Sequence, residues 1–206
     1  MGIAACLVAL ALVPAPRTPT RERLELIEVV DGDGLRVRRA GRVEALRLAC
    51  VDCEESLHPS DRAPRDKPQT VLGERARLWL IARLEGVREV EFEAHPGEPR
   101  DGFGRLLGHA RLADGRDLGL ELVRAGHSPY FTKYGTCPLD DRAYRDAERE
   151  ARAAQRGIWA ADANRPRSSD APWARRDYGQ LTAWWARRAE AVAGWRAVRA
   201  RDPLGA

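Results

Sequence analysis

Residues 24–51 read Leu24-Glu-Leu-Ile-Glu-Val-Val-Asp-Gly-Asp-Gly-Leu-Arg-Val-Arg-Arg-Ala-Gly-Arg-Val-Glu-Ala-Leu-Arg-Leu-Ala-Cys-Val51. Aliphatic and β-branched residues fill 24–30, and Asp31-Gly32-Asp33-Gly34 then supplies a strong turn signal. Residues 35–39 alternate apolar with basic, Ala40-Gly41 turns the chain, and 43–51 make a third strand. Three strands in meander, joined by tight turns, are the opening of a small barrel.

Downstream, residues 57–68 are polar and proline-containing, which predicts a surface loop. Over 70–84, Val71, Leu72, Ala76, Trp79, Leu80 and Leu84 recur at helical spacing, and Gly86 closes that helix. Strands follow at 88–94 and 105–112, then a short helix at 118–125 stopped by Gly126. A heavily charged helix over 140–156 stops at Gly157, and Ile158-Trp159 docks after it. The order βββαββαα predicts an α+β, mainly β fold: a five-stranded OB-type barrel with packed helices. The expected division is a signal-like or anchor segment with linker at 1–20, the barrel domain at 21–160, and an Arg/Trp-rich linker with an amphipathic helix at 161–206. That last segment is a C-terminal helical extension, with Tyr178, Leu181, Trp185, Val192 and Trp195 on one face.

The net charge is +4, but residues 21–159 carry 25 basic and 26 acidic side chains, so the barrel segment is nearly neutral. Residues 172–206 hold seven arginines against three acids. A nucleic-acid function cannot be argued from the overall charge alone. The apolar run within residues 1–16 has signal-peptide length, followed by Pro-Arg-Thr-Pro-Thr, although it lacks a basic leading region. Export to the cell envelope or medium is the expectation, with a cytoplasmic location as the competitor. No run of eighteen or more apolar residues offers a membrane-spanning helix.

Three acids stand at predicted strand ends: Asp33 after the first, and Asp52 and Glu55 after the third. Carboxylates brought together by a meander would hold a hard, oxygen-seeking cation. The bland alternative is a hairpin turn and a polar loop. Asp-x-Asp-Gly also hints at an EF-hand, but the later ligands do not follow. Arg47 lies within an apolar strand, and Arg105 follows Asp101-Gly-Phe-Gly104. Each offers a planar fork matched to phosphate oxygens, or simply a surface ion pair. Cys50 and Cys53 have the gap of a zinc knuckle with His58 nearby, yet no second close pair completes it.

The ordered series decides between these readings. Val30-Asp31-Gly32-Asp33-Gly34, Arg47-Leu48-Ala49-Cys50-Val51-Asp52-Cys53-Glu54-Glu55 and His58-Pro59 come first, then Gly73-Glu74-Arg75-Ala76 and Asp101-Gly102-Phe103-Gly104-Arg105. With Ala113-Asp114-Gly115, Glu121-Leu122-Val123-Arg124-Ala125-Gly126 and Gly157-Ile158-Trp159, the series resembles the staphylococcal nuclease (thermonuclease) family over roughly residues 22–160. The resemblance implies Ca2+ bound by Asp33 and Asp52 side chains and by the backbone carbonyl of Cys53. It implies Glu55 as general base, and Arg47 and Arg105 as phosphate-holding catalytic residues. DNA and RNA would be the substrates, cut at the 5′ oxygen to leave 3′-phosphorylated products. Asp31, Lys133 and Tyr134 match supporting positions, the last two as substrate-binding residues.

Departures from the family pattern are Gly34 for threonine, Cys53-Glu54-Glu55 for Thr-Pro-Glu, Phe103 for tyrosine, and Thr132 for an aromatic. Glu54 is the fallback base. The loop carrying Cys137 matches one near the active site, which implies a Cys53–Cys137 disulfide, with Cys50–Cys137 as competitor. The alternative function is a catalytically silent OB-fold module that binds nucleic acid or protein. A monomer is expected. The C-terminal helix would contact a membrane surface or nucleic acid, or fold back on the barrel.

Overall fold

A computed structural model of the chain describes residues 21–56, 71–97, 99–132 and 136–160. Strands β1 (Arg21–Val29), β2 (Gly34–Arg39) and β3 (Arg42–Leu48) form the expected meander. Helix α1 (Val71–Arg83) follows, then β4 (Glu89–Ala94) and β5 (Leu106–Arg111). Helices α2 (Leu118–Arg124) and α3 (Asp141–Ala153) precede a 3-10 turn, Gly157–Trp159. The sheet closes as a barrel in the order β1-β2-β3-β5-β4, which is the OB-type fold the element order predicts.

Closure depends on β1, which pairs with β2 through one part of its length and with β4 through the other. The β1–β2 ladder shifts register between Leu26 and Glu28, and such a bulge bends a strand so that it can serve two partners. The β2–β3 hairpin pairs Arg39 with Arg42 across Ala40-Gly41, with φ of 47° and 79° at the two turn residues. Two positive φ values make a type I′ connection, whose twist matches the flanking strands. β3 and β5 run parallel, placing Arg47 opposite Leu107.

Side chains alternate into the barrel, where Leu24, Leu35, Val37, Leu46, Leu48, Val90, Phe92, Leu106 and Ala110 are buried. Each large aliphatic side chain so buried contributes on the order of 1.5–3 kcal/mol. Helix α1 presses Ala76 and Leu80 onto this core, Leu84 follows just past its end, and α2 adds Leu118, Leu122 and Val123. A smaller cluster of Phe131, Ala151, Ile158 and Trp159 docks the end of the domain, with the Arg152 guanidinium 4.0 Å over the Trp159 ring.

Three boundaries differ from expectation by more than one residue. β1 begins at Arg21, because the β1–β4 ladder and an Arg21–Glu93 ion pair extend it. β3 stops at Leu48 instead of continuing to Val51: the Ala49 N–H turns to Gly108, and Cys50 enters the left-handed region at φ 63°. α3 stops at Ala153 instead of Arg156, since Gln155 takes φ 50°. The segments 1–20 and 161–206 lie outside the described residues, as do His58, Pro59, Lys133 and Tyr134. Among the described residues no helix is long and apolar enough to cross a membrane.

Candidate active site

The β1–β2 turn and the chain leaving β3 meet at the same end of the barrel. The Asp33 carbonyl accepts from the Leu48 N–H at 2.9 Å, so the backbone itself holds the two segments together. Asp31 orders the turn by accepting the Asp33 N–H at 3.1 Å. The Asp33 carboxylate then crosses to the second segment, taking the Cys53 N–H at 2.6 Å.

Arg47, from β3, ties the acids into one cluster. Its guanidinium pairs with Asp33 through Nη1 and donates through Nη2 to Asp52 at 2.5 Å and to the Val51 carbonyl at 3.1 Å. All three side chains are nearly closed off from water. Burial works against the Arg47 charge, but Asp52 and Asp31 more than offset it, so its pKa is raised further. Asp52 is also positioned from behind: its N–H donates to the Ser128 hydroxyl at 2.8 Å, which in turn donates to the Pro129 carbonyl at 2.7 Å.

Glu54 and Glu55 continue from this cluster, Glu54 buried and Glu55 half-buried. Their backbone lies directly against α1. A Cβ at Gly73 would come within 2.2 Å of the Glu55 carbonyl oxygen and 2.5 Å of that of Glu54. Only glycine permits this approach, which accounts for the Gly73-Glu74-Arg75-Ala76 motif. Cys53 fills the space behind, its side chain over Gly32 and Ala76.

Arg105 precedes β5, two residues before the Leu107 that pairs with Arg47. Asp101 holds it: Arg105 Nε donates at 2.7 Å to Asp101 Oδ2, and its backbone N–H at 3.0 Å to Oδ1. Burial opposes the Asp101 charge, yet the Arg105 bonds and the Phe103 N–H hold its pKa below the usual value. The Phe103 ring stands exposed, with the Arg105 guanidinium 5.6 Å from its centroid.

The structure therefore brings Asp33, Arg47, Asp52 and the Cys53 backbone together, with Glu55 adjoining and Arg105 across the β3–β5 ladder. Ser128 was not legible as a positioning residue, because a lone loop serine carries no spacing signal. Asp101 had one, its place four residues before Arg105. The expected Cys53–Cys137 disulfide is not formed. Cys50, Cys53 and Cys137 are free thiols, and Cys137 gathers with Cys50 and His109 while Cys53 faces Gly32 and Ala76.

Two oxygen-rich carboxylates converging on one cationic group suit a hard cation. Arg47 is the cation that both carboxylates meet in this structure.

Comparison with known proteins gives the same assignment. A family model described as staphylococcal nuclease homologue matches residues 45–161. Endonuclease YhcR of Bacillus subtilis is 29% identical over 150 residues, 71% of this chain and 12% of that protein. Probable endonuclease LCL3 of Arthroderma otae is 30% identical over 123 residues, 58% of this chain and 42% of the relative. An uncharacterized endonuclease of Escherichia coli O157:H7 is 25% identical over 135 residues, covering 66% of this chain and 75% of the relative. The chain thus spans well under two thirds of the first two relatives.

Proposed function

The chain belongs to the staphylococcal nuclease homologue family, and from that premise we propose that it is a calcium-dependent phosphodiesterase acting on DNA and RNA. The observation carrying this reading is the convergence of the buried Asp33 and Asp52 carboxylates on the single Arg47 guanidinium. Asp33, Asp52 and the Cys53 carbonyl would hold Ca2+, and the ion would supply Lewis-acid polarisation of a phosphoryl oxygen.

The protein's own groups do the rest. Arg47, whose fork lies beside these carboxylates, would hold the phosphate and oppose the charge that builds at phosphorus. Arg105, stiffened by Asp101, acts from the other side. Glu55 takes a proton from water as its oxygen attacks phosphorus in line with the departing 5′ oxygen. The P–O5′ bond breaks, the departing oxygen takes a proton from solvent, and the products are a 3′-phosphate and a free 5′-hydroxyl. Glu55 suits the base role better than Glu54, because it is the less buried of the two. Lys133 and Tyr134 would contact substrate from the neighbouring loop.

Two further proposals concern the segments outside the described residues. The apolar stretch in 1–20 supports export, and the Arg/Trp-rich stretch in 161–206 supports contact with an anionic surface. The domain acts as a monomer in this reading. A silent binding module is the competing function, and the residue types retained at positions 33, 47, 52, 55 and 105 weigh against it.

Plasmid and RNA digestion, with calcium and then with chelator, tests the proposal. Glu55→Gln should cut roughly 10²–10⁴-fold more slowly, the usual contribution of a general base, and leave 3′-phosphate ends in the residual product. Undiminished cleavage in chelator, or full activity in that variant, would overturn the mechanism.

A further inference from the structure

Away from the acidic cluster, three buried side chains meet where no step of phosphodiester cleavage needs them. Cys50 leaves β3, His109 lies on β5, and Cys137 sits on the loop ahead of α3. Each is at most a few per cent exposed. Their donor atoms all lie within 4.8 Å of one another, and Cys137 Sγ is 3.9 Å from His109 Nε2. One zinc ion bonded to both would span about 4.3 Å or less, from bonds of about 2.3 Å to sulfur and 2.0 Å to nitrogen.

The surroundings are arranged as for a ligating imidazole. His109 turns its other nitrogen, Nδ1, to Asp117 Oδ2 at 3.1 Å, leaving Nε2 to face the sulfurs. Asp117 is itself fixed, its Oδ1 accepting from the Tyr144 hydroxyl at 2.7 Å and from the Leu120 N–H at 3.0 Å. A carboxylate behind the histidine sets its tautomer and raises its basicity in metal sites. The Cys137 backbone is held too, its N–H donating to the Tyr130 hydroxyl at 2.6 Å.

Cys50 adds an independent sign. It adopts φ 63°, where a side chain other than Gly, Asn or Asp costs on the order of 1–2 kcal/mol. Its carbonyl, accepting the Phe131 N–H at 2.9 Å, helps hold that conformation. In this conformation the Cys50 thiol is buried in the core and meets the Cys137 thiol.

We propose that Cys50, His109 and Cys137 form a zinc site. Two thiolates and a neutral imidazole around Zn2+ make a unit with no net charge, which a buried position tolerates, and a water molecule would take the fourth position. Soft sulfur donors separate this site from the hard-oxygen cluster at Asp33 and Asp52. The ion would tie the chain just before Asp52 to β5 and to the loop that leads into α3. The pair picked out by sequence spacing, Cys50 with Cys53, is not the ligand pair: Cys53 faces the opposite neighbours, Gly32 and Ala76.

The test uses the full chain, purified and kept reduced with a phosphine, and loaded with zinc or with cobalt. The wild type should retain one zinc per chain through dialysis against excess calcium. Its cobalt form should show thiolate-to-metal charge-transfer absorption, which oxygen ligands cannot produce. Cys53→Ser should keep that band, and Cys50→Ser and Cys137→Ser should lose most of it. Zinc should also raise the Tm of wild type and of Cys53→Ser but not of Cys50→Ser. Failure of the reduced wild type to retain zinc or to show the band would overturn the proposal, and needs no variant to fold. A Cys50–Cys137 disulfide as the sole state of chain isolated with zinc present would overturn it equally.

Discussion

Arg47 donates to the Asp52 carboxylate at 2.5 Å while the same guanidinium pairs with Asp33, and both acids are buried with Arg47 nearly so. The acids that would hold the metal therefore already share one positive charge, supplied by the arginine that would hold the phosphate. If the proposed calcium takes these carboxylates, it competes with Arg47 for them.

Arg47→Ala separates the two roles. Without metal it leaves two buried carboxylates short of their cation, which should destabilise the fold by roughly 3–5 kcal/mol. Calcium should then stabilise this variant more than it does the wild type, since no guanidinium has to be displaced. Cleavage should nonetheless fall about a hundredfold or more, the scale of one lost transition-state contact. Urea melts with and without calcium, beside single-turnover cleavage, check both. An equal calcium effect on the two proteins would count against the shared position.

Ser128→Ala removes the acceptor of the Asp52 N–H. A buried donor left unsatisfied costs about 1–3 kcal/mol, and Asp52 loses its support. Calcium affinity should weaken, with Ser128→Thr restoring part of it. Calcium titration of the three proteins measures this.

Gly73→Ala places a methyl 2.2 Å from the Glu55 carbonyl oxygen. The opposing atoms are backbone, so α1 or the Glu54–Glu55 segment has to move. Overpacking of this kind costs roughly 1–3 kcal/mol, and the proposed base moves with it. The expected result is a lower Tm together with a lower kcat and a nearly unchanged calcium affinity. A wild-type kcat in a folded Gly73→Ala protein would show that the close approach does not position Glu55.

His127 supplies a pH dependence of stability. Burial, then the nearby Arg75, pushes its pKa down from 6.5 to about 4, and its ring lies 5.2 Å from that of Trp79. Between those values the unfolded chain takes up a proton that the folded imidazole refuses. Its contribution is therefore complete above pH 6.5 and is lost as pH falls toward 4. Subtracting the stability of His127→Gln from that of wild type across this window isolates the effect from titrating carboxylates. A flat difference would refute it.

The strand meander, the helices and the closing Gly157-Ile158-Trp159 were legible because their signals are local. Apolar alternation marks β2, Ala40-Gly41 marks its turn, and Gly126 ends α2. The order of Asp33, Arg47, Asp52, Glu55 and Arg105 was legible too, as a series of residue types at family spacing. The end of β3 was not, because residues 49–51 are as apolar as the strand before them. What stops the strand is the Ala49 bond to Gly108, 59 residues away in the chain, and the left-handed turn at Cys50.

The sequence by itself thus determined the barrel, its element order and the kinds of side chain at its mouth, since periodicity and turn chemistry act over a few residues. Tertiary structure alone decided which side chains share a charge and which sulfur meets which partner. Cys50 and Cys53 are three positions apart, yet the turn between them sends one toward His109 and Cys137 and the other toward Gly32 and Ala76. Ser128 reaches Asp52 only because the chain after α2 folds back beneath β3's exit. Contacts of that range depend on the closed sheet, and no local pattern encodes them.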